Sequence, residues 1–322
     1  MEAYFYSKEM NNKETIIIPI LLVGFNRPNI ISQSLEHIRK VKPTKLYVAI
    51  DGPRNNKPGE EELVNQVKSI VSNIDWNCEV YYRFSDKNIG AEVNVSSAVS
   101  WVLEHEEYVI VLEDDIILEY SGFLFMQEML IRYKNNDEIC IVSGENQTPM
   151  ELPNNEDYLF CKYGHSWGWG TWRRAWNGYS LYMELDQQIF SKENLRKVFT
   201  SDLEVDYYHR FYAKFHRMGI GAMNWDYVRG YYHRVLGRKL SIVPRVNLVS
   251  NIGVVGLHAK GQTDRHFRRI DTDFRVNIHP KVIKCNDFYD EYHFEKIIYT
   301  PHYCILRRAY NKIVRIIKKV MQ

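Results

Sequence analysis

The chain has 322 residues, 45% of them hydrophobic and 25% charged, with a net charge of +2. That composition fits a globular protein with a substantial core and excludes a disordered one, and so balanced a charge gives no basis for nucleic-acid binding. The charge is unevenly spread: from Pro301 onward stand Arg307, Arg308, Lys312, Arg315, Lys318 and Lys319 and no acid, so the remainder is mildly acidic.

Five scattered cysteines, Cys78, Cys140, Cys161, Cys285 and Cys304, form no CxxC pair and read as reduced thiols of a cytosolic protein rather than a disulfide framework or zinc site. The apolar run TIIIPILLVGF follows mixed charges, contains Pro19 and leads into a turn with no small-residue cleavage pattern. It is expected to be a first strand, over about Ile16 to Val23, and not a signal peptide. No stretch is long and apolar enough to span a bilayer.

Next, NRPNIISQSLEHIRKV sets Ile30, Ile31, Leu35 and Ile38 at helical spacing, with Pro28 where a first helical turn tolerates it. KLYVAIDG reads as a strand ending in an acid and a glycine, EEELVNQVKSIVSNI as a helix and CEVYYRF as a third strand. GAEVNVSSAVSWVLEH is a third helix and YVIVLEDDI a fourth strand. Short apolar strands separated by single helices imply βαβ units, hence an α/β fold with a mostly parallel sheet flanked by helices.

In such sheets ligands bind beyond the carboxyl ends of the strands. The rule selects Asn26 and Arg27 after the first strand, Asp51 after the second, Asp86 to Gly90 after the third, and Glu113, Asp114 and Asp115 after the fourth. Three adjacent carboxylates are costly unless protonated, solvated or facing a cation. Hard oxygen ligands beside a phosphate suit Mg²⁺ or Mn²⁺.

The motifs FNRPNIISQSLEHI, AIDG, DKNIGAEVNVSSAVSWVLE and VIVLEDDIILEYSGFLFMQEML, in this order, resemble the nucleotide-sugar-binding half of GT-A fold glycosyltransferases, and most of all the N-acetylglucosaminyltransferase I type, which carries Glu-Asp-Asp where many relatives have Asp-x-Asp. GHSWGWGTWRRAW is similar to the acceptor-side segment of that family, NWDYV to the loop of its catalytic base, and LSIVPRVNLVSNIGVVGLHAKG to the strand and loop that follow. The likeness covers roughly residues 16 to 262 and is more specific in its first half. It implies a nucleotide-sugar-binding half over 1–150, an acceptor-side half over 151–262 and a C-terminal extension over 263–322.

Carried over by position, the resemblance implies that Arg27 meets the donor diphosphate and Asp51 the uracil or ribose edge, while the strand-end rule places Asn26 and Asp86 on the same donor-binding rim. Asp115 would reach the metal, while Asp114 and Glu113 would face the ribose and the transferred sugar. Asp226 would be the general base, although the family has two adjacent acids there and this chain has one. His258 would be a further metal ligand. Plain structural readings stand beside each: a surface arginine near a helix start for Arg27, a turn for Asp51-Gly52-Pro53, a cap or turn for Asp86, a surface acid for Asp226, a structural imidazole for His258.

Among the tryptophans, Trp172 and Trp176 at i and i+4 are expected in the core, and Trp167 and Trp169 in the glycine-rich part are expected to line the acceptor cleft. DLEVDYYHRFYAKFHRMGIG reads as an amphipathic helix supporting that cleft, with no chemistry for His209 or His216. The C-terminal YCILRRAYNKIVRIIKKVMQ suits either an anionic membrane surface or a packed helix with a solvated basic face.

The expected protein is therefore a metal-dependent, inverting glycosyltransferase, peripheral at the inner face of the cytoplasmic membrane or free in the cytoplasm. It would take a nucleotide-sugar donor and a saccharide or lipid-linked saccharide acceptor. Two alternatives stay open: a sugar nucleotidyltransferase, for which GFNRPN is a poor phosphate loop, and a binding protein on the same fold that has lost turnover.

Overall fold

The computed structural model describes residues 15–253 and 269–299. Its first half follows the expected alternation: β1 (Ile20–Gly24), α1 (Pro28–Val41), β2 (Lys45–Ile50), α2 (Glu60–Ser72), β3 (Glu79–Phe84), α3 (Ala91–His105) and β4 (Tyr108–Glu113). The first strand begins four residues later than expected. Pro19 has no N–H for a ladder, and the N–H of Ile17 donates instead to the Gln127 side chain at 2.7 Å. Ile16 and Ile18 are nonetheless fully buried.

A short strand β5 (Ile116–Leu118) follows the acid triplet, then α4 (Tyr120–Arg132), β6 (Ile139–Ser143), β7 (Tyr158–Cys161) and β8 (Trp169–Trp172). The remainder holds α5 (Asp202–Met218), α6 (Trp225–Gly230) running into a π-helical turn over Tyr231–Leu236, β9 (Leu240–Pro244), β10 (Val249–Asn251) and α7 (Asp287–His293).

Eight strands form one sheet in the order β3-β2-β1-β4-β8-β6-β9-β7, and β10 pairs antiparallel with β5 in a separate ribbon. Within the large sheet only β8 and β7 run against the rest. The chain steps outward from β1 through β2 to β3 and then returns across β1 to β4. Right-handed crossovers consequently put α1 and α2 on one face and α3 on the other. Contacts agree: α1 packs with α2, α4 and β5, whereas α3 packs with β1, β2, β4 and α6.

The face of α1 that packs inward carries Ile31, Leu35 and Ile38, and the helix ends where Lys42 turns left-handed at φ 46°. The main core is dominated by Ile, Val and Leu from β1, β2, β4 and β6. A second cluster, around α5 and the π-helical turn, is mostly aromatic: Tyr163, Phe190, Phe199, Tyr207, Tyr208, Tyr212, Tyr231 and Phe294. Trp172 and Trp176 are buried, as their spacing implies. The described part of the C-terminal extension is not separate from this body, since Tyr289 and Phe294 are core residues and Cys285 bridges to Phe160. Among the described residues, Cys78, Cys140, Cys161 and Cys285 are free thiols, and no helix is long and apolar enough to cross a membrane.

Candidate active site at the reversal of strand order

Parallel register brings the strand ends level: Gly24 pairs with Ile50, Ile50 with Phe84, and Val23 with Glu113. Strand order reverses between β1 and β4, and a crevice outside the carboxyl ends at that reversal is where open α/β sheets take ligands. Arg27, at the start of α1, and the acid triplet, at the end of β4, occupy its two walls.

The three acids are not equivalent. Asp114 turns inward and is only 4% exposed. Arg27 forks onto it, with Nε donating to Oδ2 at 3.2 Å and Nη2 to Oδ1, while the Phe25 N–H donates to the same carboxylate. The Ser34 hydroxyl donates to the Asp114 carbonyl at 2.6 Å, tying α1 to this turn. Burial pushes the Asp114 carboxyl up, and Arg27 opposes that push.

Asp115 is half-buried. Its side chain accepts from Arg27 Nη2 at 3.0 Å and from Asn251 Nδ2 at 3.3 Å, and its carbonyl accepts from the Ile252 N–H at 2.9 Å. The β5–β10 ribbon thus delivers the chain to Gly253 directly beside Asp115. A Cβ on Gly253 would lie 2.1 Å from Asp115 Oδ2, so bare backbone is required there.

Among the described residues Glu113 has no cation of its own. Burial, then Asp115, Asp114 and Asp226, push its carboxyl up to about 8, and Arg27 offsets this only in part. Asp226 comes from the first turn of α6, in the other half of the chain, and accepts from the Tyr227 N–H at 2.9 Å. Four carboxylates from two halves therefore share one field; among the described residues Arg27 answers Asp114 and Asp115, whose charge holds it firmly protonated against its own burial, and Arg229 acts on Asp226.

Asp51 behaves differently from the expectation of a nucleotide contact. It is 3% exposed, and both oxygens are engaged: Gly52 N at 2.8 Å and Ile89 N at 2.9 Å donate to Oδ1, Asn88 Nδ2 at 2.9 Å and Gly90 N at 3.0 Å to Oδ2. Its work is to clamp the loop after β3 onto the loop after β2. Gly52 permits the approach, since a Cβ there would sit 2.5 Å from the Lys87 backbone. Asp86, on the clamped loop, is exposed.

Sequence reasoning missed two rim features. Glu60 is buried at the start of α2 and accepts from Asn26 Nδ2 at 2.9 Å, from the Arg54 N–H at 2.8 Å and from the Arg54 guanidinium. Arg54, and less so Asn26, hold its carboxyl down to about 2. Across the crevice, Glu92 in the first turn of α3 accepts from the Trp225 N–H and so ties the first half of the chain to the helix carrying Asp226. The run of Glu60, Glu61 and Glu62 hinted at a helix start, but nothing in it marked which acid turns inward.

Of the two tryptophans expected at the acceptor cleft, Trp167 is half-buried. Trp169 is not: it is fully buried, stacked on Trp225 at 5.5 Å and near Trp176 at 5.9 Å, with the Arg229 guanidinium 4.7 Å over its ring. Its place in β8, between β4 and β6, leaves the indole inside the body and not on the surface of a cleft.

Among the described residues the one set of three ligating side chains whose donor atoms lie within 4.8 Å of one another is Cys285, Asp287 and Asp290, and there the Lys162 ammonium already stands 3.4 Å from Asp287 and 3.6 Å from Asp290. The triplet does not converge in this way. It fits instead a cation held by one protein carboxylate and completed by substrate oxygens, with Asp115 as the partly exposed member. His258 and the basic residues after Pro301 lie outside the described residues.

No protein-family model and no curated protein matches the chain. Among solved structures, it is similar to a mannosyltransferase from Pyrobaculum calidifontis in complex with GDP-Man and Mn²⁺, at 12% identity and a TM-score of 0.30, over 52% of this chain and 50% of that one, so the chain spans about half the length of that protein. Mouse xyloside xylosyltransferase 1, in its apo form, gives 12% identity and a TM-score of 0.35 over 69% of this chain and 82% of that one. A 4-diphosphocytidyl-2C-methyl-D-erythritol synthase from Anaerococcus prevotii gives 12% and 0.29 over 53% and 79%. These likenesses are too weak to bear on function, and the mixed α/β architecture rests on the sheet itself.

Proposed function

We propose that the chain is an inverting, metal-dependent glycosyltransferase that moves a sugar from a nucleoside diphosphate sugar, with UDP favoured by the sequence resemblance, to a saccharide or lipid-linked saccharide. The observation that carries this reading is the meeting of Glu113, Asp114, Asp115 and Asp226 around Arg27 at the reversal of strand order. Such an excess of negative charge has a use where a divalent ion and a diphosphate arrive together.

Asp115 would hold Mn²⁺ or Mg²⁺, with His258 as a second ligand: Gly253 lies beside Asp115, and five residues of chain reach up to about 17 Å. The bound ion would supply neutralisation of charge on the departing diphosphate. Arg27 and Asn26 would face the diphosphate, with Arg27 also fixing the rotamers of Asp114 and Asp115. Glu113 and Asp114 would line the sugar and ribose, and Asp51 would act through the loop that bears Asp86. Asp226 would take the proton from the acceptor hydroxyl as it attacks the anomeric carbon from the face opposite the leaving group, which inverts that centre. Trp167 would offer a face to the acceptor. The basic C-terminal segment would bring the enzyme to a cytoplasmic membrane surface; equal liposome flotation of the full chain and of a chain ending at residue 300 would remove that part.

The decisive test is thermal stability against nucleoside diphosphates and sugar nucleotides, each with Mn²⁺ and with chelator, for the native chain and Asp115→Ala. A ligand of the native state raises the melting temperature by mass action. Metal-dependent stabilisation by one nucleotide, lost in the variant, is the expected outcome. No shift with any nucleotide would overturn the reading, and release of pyrophosphate rather than a nucleoside diphosphate would move the chain to the nucleotidyltransferases.

A further inference from the structure

Between α6, the π-helical turn and the sheet lies a cavity of ≈20 Å³ lined by Cys140 and Ile141 of β6, Ser241 of β9, and Lys162, Arg229, His233, Arg234 and Lys239. Its volume admits one water or one monoatomic ion. The groups that line it are basic, and the nearest acids, Asp226 for Arg229 and Glu204 and Asp290 for Arg234, act on them from beyond hydrogen-bond range. Arg229 is 3% exposed, and its Nε and Nη1 have no hydrogen-bond partner; the Nε of Arg234 has none either. No carboxylate lies within ion-pair distance of either guanidinium among the described residues. Arg229 has only a long contact from Nη2 to the Gly164 carbonyl, 3.4 Å, and the faces of Trp169 and Trp225. Arg234 lies over Tyr163 and Tyr208, with its Nη2 3.5 Å from the Tyr212 hydroxyl.

The other polar groups do not supply the missing negative charge. Lys162 is engaged by Asp287 and Asp290. His233 donates Nε2–H to the Ala175 carbonyl at 2.9 Å, so its Nδ1 is an acceptor and the ring is neutral. A buried guanidinium with two unsatisfied donors and no carboxylate within ion-pair distance is costly for a core to hold, and the more distant charge of Asp226 offsets that cost only in part. Water would satisfy donors but would not balance charge.

We propose that this cavity is a structural site for a monoatomic anion of the halide class, held by Arg229 and Arg234, that fastens α6 to the sheet. Oxyanions are excluded by size, because a sulfate or phosphate needs several times the room. The site is distinct from the crevice: its lining includes neither the acid triplet nor Arg27, and through Arg229 it would fix the helix that carries Asp226 without touching a substrate.

Melting of the native chain in sodium chloride and in sodium gluconate at equal ionic strength reads the site directly. Saturable stabilisation of about 3 °C or more by 150 mM chloride, reproduced by bromide and not by sodium sulfate, is expected. Arg229→Met, which keeps the bulk of the side chain and removes its charge, should lose the chloride response. To keep the test independent of that variant's folding, crystals of the native chain grown in sodium bromide give a second reading: an anomalous peak in the cavity supports the site. Equal melting in chloride and gluconate, an undiminished chloride response in Arg229→Met, or water in the cavity with no bromide signal would each overturn it.

Discussion

The two halves of the molecule solve the packing problem with different residues. Strands β1 to β4 and their helices bury Ile, Val and Leu in regular parallel register, and every strand ends on the same rim. The half from β7 to the π-helical turn is built from tyrosine, phenylalanine and tryptophan stacked edge and face, with two arginines laid over the rings. Aliphatic packing on a periodic backbone yields a level platform of strand ends. Aromatic packing adds shape and polar tips, and places α6 against α3 at the edge of that platform.

The sharpest way to break this division of labour is Asp226→Asn. Transfer should fall by roughly 10²–10⁴-fold, while the metal-dependent melting shift caused by the donor stays as in the native chain. Loss of donor binding in this variant would show that the halves do not divide donor from acceptor.

Core truncations test whether the halves are also separable in stability. Phe199→Ala removes a ring stacked on Tyr208 at 4.6 Å and should cost about 3–5 kcal/mol. Hydrogen exchange should then rise in α5 and α6 while β1 to β4 keep their protection. Leu22→Ala, at about 2–5 kcal/mol, should expose the whole sheet; equal exchange patterns for the two variants would mean one cooperative unit.

The aromatic half also carries a pH signature. Glu204 is 1% exposed, and burial pushes its carboxyl up to about 7 against the opposing Tyr163 hydroxyl, Lys162 and Arg234, with Asp290 adding to the rise. A carboxyl raised on folding binds more protons in the native than in the unfolded chain between the two pKa values. Stability from this group should therefore fall as pH rises from about 4.5 to about 7, by on the order of 1–3 kcal/mol. Glu204→Gln should flatten that slope; an unchanged slope would assign it to other groups, such as Asp290, pushed up to about 6.

The smallest effect concerns Trp167. Its removal by Trp167→Ala should raise the acceptor KM about 3- to 10-fold, the worth of one ring face at ~0.5–1.5 kcal/mol, with the donor KM unmoved. A donor-side change would place the ring on the other wall of the crevice.

How much of this was legible in the sequence follows the same division. The βαβ rhythm from Ile20 to Glu113 showed in apolar spacing because each element repeats with a fixed period, and the strand-end rule then picked Asn26, Arg27, Asp51, Asp86 and the acid triplet. Only the inward or outward sense of each side chain was hidden. Asp51 turned to its own loops, Trp169 into the sheet, and Glu60, not its two neighbours, onto Arg54. In the second half the decisive contacts span long separations, Glu92 to Trp225 and Asp115 to Asn251. No local pattern encodes which loop meets which, so the burial of Arg229 and the ribbon at Asp115 had no signal in the chain.

The clamp at Asp51 has a consequence for how such a site can diversify. It grips backbone amides at Ile89 and Gly90 together with the Asn88 side chain, and leaves Asp86 and Lys87 exposed. Scaffold and vocabulary are thereby uncoupled on this loop: its path is written by one carboxylate, while the residues displayed at 86 and 87 can be exchanged without rewriting it. We expect libraries randomised at those two positions to retain folding in most members, and libraries at Asp51 to lose it in most.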